Sequence, residues 1–128
     1  MNILFSVHWI LIASIWYFGN GLLHDVFVIA QHKENYNREL LRLLMDGHVL
    51  ILSGAVLFVC YLMMLNKIQC GALIAIILAI GMLIYCAMIF PFLKSIGTIG
   101  ISLMVIVVSV KLYATFPDIY KIMQGYNK

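Results

Sequence analysis

Four long apolar runs, parted by short polar links, constrain this chain more than any other feature. A helix needs about 20 mostly apolar residues to cross the roughly 30 Å hydrocarbon core of a bilayer. The runs at about 3–30, 40–65, 70–93 and 95–116 all reach that length. None alternates with a period of two, so a membrane β-barrel is not expected. Apolar residues make up 65% of the 128 and charged residues 10%. Soluble domains carry about half and about a quarter. A disordered chain and an ordinary soluble domain are excluded on that ground.

The links decide the arrangement. Residues 31–41 form the longest; 66–69 and 91–95 are tight turns, and the tail after Pro117 is short and polar. Short links make successive helices antiparallel neighbours. The expected fold is therefore all-α and integral to a membrane: one domain, 1–128, of four transmembrane helices running up-down-up-down. The expected setting is the cytoplasmic (inner) membrane of a bacterium, with the lipid bilayer as first partner and a homo-oligomer or a larger membrane complex as the assembly. The N-terminus lacks the basic stretch of a secretory signal, so the first run is expected to be retained. Orientation is undetermined. Lys33, Arg38, Arg42 and Lys94 fall on one side, and Lys67, Lys111, Lys121 and Lys128 on the other. This balance gives the positive-inside rule nothing to act on. Net charge is +3 and the basic residues are scattered, so nucleic acid is not an expected partner. Cys60, Cys70 and Cys86 have no C-x-x-C or zinc-type spacing and read as small packing residues.

Lipid is as apolar as leucine, so helices associate in it through close packing and polar contacts. Ala72, Ala75, Ala79 and Cys86 form one stripe of the third helix. Ser95, Thr98, Ser102 and Ser109 form another on the fourth, and Gly47, Ser53 and Gly54 lie on the second. These are expected packing faces. Trp9, Tyr61 and Tyr113 read as interfacial anchors. Trp16, Tyr17 and Tyr85 lie deeper, where a hydroxyl or indole N–H needs a partner.

Ionisable residues at membrane depth are costly and raise a functional hypothesis. They gather at one end. The first helix closes with Asn20, His24 and Asp25, the second opens with Arg42, Asp46 and His48, and the fourth follows Lys94 with Thr98. Arg42 and Asp46 stand four apart. In an antiparallel bundle all eight reach a similar depth, at the boundary of the apolar slab, where they either fix the helix ends or line a pocket that binds a ligand or a proton. Imidazole and carboxylate suit a divalent metal, and histidine exchanges protons near neutral pH. If a metal binds, His24, His48 and Asp46 are its candidates. Adjacent helical residues point about 100° apart, so His24 and Asp25 face different neighbours, and a site needs a group from each helix.

His8 followed by Trp16-Tyr17-Phe18-Gly19, with Phe27-Val28 and His32 beyond, resembles the first helix of small haem-linked membrane proteins. The protoporphyrinogen oxidase family and the copper-resistance membrane proteins both place a histidine before a Trp and a Gly. The resemblance covers the first quarter of the chain. Leu23-His24-Asp25 stands where those families carry a basic residue. It implies haem as a group to test for. His8, His24 and His48 are the candidate ligands; His24 and His48 lie on neighbouring helices at one depth, and His8, at the other end, cannot share an iron with them. The expected function is a non-enzymatic accessory, or one of binding or transporting a small ligand or ion at the His/Asp end. A haem- or metal-binding redox role is the alternative.

Overall fold

The computed structural model describes residues 3–32, 37–89 and 96–116. They form four helices: α1 (Ile3–Gln31), α2 (Arg38–Leu65), α3 (Gln69–Ile89) and α4 (Ile96–Thr115). Each is long and apolar enough to cross a membrane. Among the described residues there is no strand. The expected end of the third helix at 93 and start of the fourth at 95 lie outside the described residues.

α2 begins earlier than its apolar run. Asn37 caps it: the backbone there is extended (φ −131°, ψ 174°), and the side-chain oxygen accepts from the Leu40 N–H at 2.8 Å. A side-chain acceptor at this position satisfies one of the N–H groups that the first turn leaves free. Glu39 adds an acidic group in that turn, where the helix dipole favours it. The other end of α2 closes on Lys67, which sits at φ 58°. The Lys67 N–H donates to Met64 O at 3.0 Å and the Ile68 N–H to Met63 O at 3.0 Å. This pair of bonds stops a helix and reverses the chain, at a position usually filled by glycine.

The core repeats at helical spacing. Val7, Ile10, Ala13 and Tyr17 come from α1; Leu57, Cys60 and Met64 from α2; Ala72, Ala75, Ala79 and Met82 from α3; Val105, Val108 and Leu112 from α4. Such spacing places side chains on one face. The expected stripe of α3 is buried throughout, as are Ser102 and Ser109 on α4. α1 packs against α2 and α4, and α3 against the same two, so the helices close a ring. The outer surface is also apolar: Leu23, Met88 and Val107 are 70%, 73% and 69% exposed.

α1 and α2 meet backbone to backbone. A Cβ on Gly21 would lie 2.6 Å from Gly47 O, and one on Gly54 would lie 2.7 Å from Phe18 N. Ser14 donates its hydroxyl to Gly54 O at 2.8 Å across the same seam. Gly21 was not among the expected packing residues. Its signal is its spacing from Ser14, seven residues, which matches that of Gly47 from Gly54.

The deep tyrosines turn inward. Tyr17 O–H lies 2.5 Å from Ser102 Oγ, and Ser102 donates to Thr98 O at 2.8 Å. Ser53 binds its own helix at Val49 O and contacts Met82 Sδ at 3.1 Å. Trp16 is exposed and lies against Gly97.

Candidate polar site

Asp25 leaves α1 toward α2. Its carboxylate lies over Gly47, and a Cβ there would come within 2.6 Å of Asp25 Cγ. His48, one residue on, brings Nδ1 to 3.1 Å from Asp25 Oδ2 and to 2.9 Å from Leu44 O. The neighbouring His24 sits with Nδ1 3.7 Å from Asp25 Oδ1. Neither of these last two atoms has a hydrogen-bond partner, and both are buried. Asp25 therefore stands between two imidazoles, one 65% exposed and one 21% exposed.

Asp46 faces elsewhere. It stands two positions before His48, about 200° around a helix, and points to α3. There Tyr85 donates its hydroxyl to Asp46 Oδ1 at 2.6 Å. His24, Asp46, Tyr85, Cys86 and Thr98 line a cavity of about 30 Å³, with Leu50 and Ile89 completing it. His24 joins the two halves: it touches Asp25 on one side and shares the cavity with Asp46 on the other.

Five of the expected residues thus come together: His24, Asp25, Asp46, His48 and Thr98. Two do not join them. Asn20 donates back to Trp16 O on its own helix at 3.0 Å. Arg42 lines a separate groove at the start of α2 with Arg38, Glu39, Leu41 and Met45. Asp46 takes the Tyr85 hydroxyl instead. Lys94 lies outside the described residues. Tyr85 and Gly47 are the members that residue reading did not assign to the site. The signals were present, a deep hydroxyl needing an acceptor and a glycine beside a charged pair, but neither names its partner across helices.

His24, His48 and Asp46 do not converge on one point. Among the described residues no three His, Cys, Asp or Glu side chains are grouped so as to hold a metal ion. The cavity has room for a water-sized guest, since a water needs at least about 10–15 Å³ and two to four polar partners.

Comparison with protein-family models, with curated proteins and with solved structures finds no match. The chemistry of the polar end is therefore the ground for a functional reading. It offers carboxylates and imidazoles in series, a hydroxyl donor, and a space for one small molecule.

Proposed function

We propose that this chain is an integral membrane protein, four helices crossing the bilayer in an antiparallel up-down-up-down bundle, and that its polar end binds a small ligand or ion, with Asp46 and Asp25 carrying a proton. The role is one of binding or transport and not of catalysis. The membrane is read as a bacterial cytoplasmic membrane.

The antiparallel arrangement draws support from the seams. Ser14 meets Gly54 and Gly21 meets Gly47, so numbers rise along α1 as they fall along α2. Ser53 with Met82 and Asp46 with Tyr85 follow the same rule between α2 and α3. Membrane insertion draws support from the apolar outer surface, which is unusual for a protein in water. α1 and α2 have 29 and 28 residues, more than the about 20 that a span requires. The excess supports a polar end at the mouth of the apolar slab.

The observation that carries the functional reading is the linked cluster itself. Two carboxylates and a histidine are largely enclosed among apolar helices, next to a cavity, with no Lys or Arg ion-paired to either carboxylate among the described residues. Asp25 is set between two imidazoles, groups that exchange protons near neutral pH, and Asp46 takes the Tyr85 hydroxyl. Assembly with a second copy or within a larger complex is part of the proposal. Gly81 and Gly100 face outward with no atom within 4 Å of a Cβ placed there, and another helix can approach closely at such points.

Reconstitution in liposomes loaded with a pH-sensitive dye tests the reading. Asp46→Asn and Asp25→Asn should each abolish proton movement across the liposome membrane while the circular dichroism of the protein stays unchanged. Undiminished movement in both variants would remove the carboxylates from any such role.

A further inference from the structure

We propose that the polar end is a proton relay with a direction: a proton enters at His48 and passes through Asp25 and His24 to Asp46. This rests on the reading of the polar end as a proton-carrying site, and adds the point of entry and the order of the groups.

The order follows from exposure and contact. His48 is the open member, 65% exposed, and its Nδ1 lies 3.1 Å from Asp25 Oδ2. An imidazole can take a proton from water at Nε2 and release the one on Nδ1, here to the carboxylate oxygen facing it. Asp25 is 13% exposed. Its second oxygen, Oδ1, faces His24 Nδ1 at 3.7 Å, and both atoms are buried without a partner. A buried polar atom left unpaired is costly. The proton taken up on Oδ2 reaches His24 when the Asp25 carboxyl group turns about its Cβ–Cγ bond and closes on the imidazole; the O–H bond then breaks as the N–H bond at His24 Nδ1 forms. His24 then gives up the proton on its other nitrogen.

The cavity completes the path. It is about 30 Å³ and is bounded by His24, Asp46 and Thr98. These three carry polar side chains, and a water held among them can pass a proton from imidazole to carboxylate. Asp46 Oδ1 accepts from Tyr85 at 2.6 Å, and the carboxylate keeps further lone pairs to receive the proton. Each step breaks one N–H or O–H bond and forms another, and no group gains more than the one proton it passes on.

The surroundings of both carboxylates fit this order. Asp25 is faced by His24 from its own helix and by His48 from α2. Asp46 is faced by His24 from α1, by Tyr85 and Cys86 from α3, and by the uncharged Thr98 from α4. Arg42 is turned to the groove it shares with Arg38 and Glu39.

The test is a stopped-flow acid pulse on the full chain in phosphatidylcholine nanodiscs, followed with a pH-indicator dye in unbuffered solution. The wild type should show an uptake phase that Asp46→Asn removes. His48→Ala should keep the amplitude and slow the phase about a hundredfold, the lower end of what a positioned proton-transfer group contributes. Added imidazole should restore the rate. His48 is exposed, so the variant should melt like the wild type by circular dichroism. A wild-type rate in His48→Ala, or a slowing that imidazole does not reverse, overturns the relay and leaves Asp46 as a binding group. A wild type with no uptake phase dependent on Asp46 overturns both the relay and the function it rests on.

Discussion

At the scale of single residues, the site depends on what is missing at Gly47. The Asp25 carboxylate occupies the space where a side chain at 47 would stand. Gly47→Ala should therefore displace Asp25 from His48 and destabilise the protein by about 1–3 kcal/mol, as overpacking does. Gly81→Ala meets nothing within 4 Å inside the chain, and in the single chain should be neutral or slightly stabilising by helix propensity. Reversible unfolding in mixed micelles would compare the two. The two inward tyrosines should also differ. Tyr85→Phe leaves a carboxylate without its donor, and should cost about 1–3 kcal/mol. Tyr17→Phe should cost less, about 0.5–1.5 kcal/mol, because Ser102 keeps its bond to Thr98 O. Unfolding of the two variants side by side, with equal losses, would contradict that difference. Residue types and depths were legible in the sequence: His24, Asp25, Asp46 and His48 stand out in apolar runs. Their pairing was not, because Asp46 had both a nearby arginine and a distant tyrosine to choose from. Only the rotation of α2 against α3 selects the tyrosine.

At the scale of the elements, the apolar faces were plain and most helix ends fall within two residues of the ends of the apolar runs. The alanine stripe of α3 is buried because alanine lets neighbouring backbones come close. The start of α2 lies in a polar stretch where hydropathy is silent. It is set by the Asn37 cap, whose signal is an asparagine three residues before Leu40. The stop at Lys67 runs against the usual preference, since a left-handed backbone strains a residue with a side chain. Lys67→Gly should relieve that strain and stabilise the protein by about 1 kcal/mol, read as a higher denaturant midpoint. A lower midpoint would mean that the lysine side chain contributes something the turn geometry does not account for.

At the scale of the whole molecule, α1 packs most closely on α2 and α3 on α4, and the two pairs are joined by a thinner seam. Tyr17 with Ser102, Ser53 with Met82, and Asp46 with Tyr85 cross that seam, while Ser14 with Gly54 and Asp25 with His48 join α1 to α2. The His24–Asp46 cavity lies on the same seam. The account stands or falls on whether Asp46, enclosed there, takes up a proton. The most direct measurement is the infrared difference spectrum of the protein in lipid before and after acidification. A carboxylic C=O band that appears in the wild type and is lost in Asp46→Asn is the predicted result. An identical difference spectrum in Asp46→Asn would contradict it.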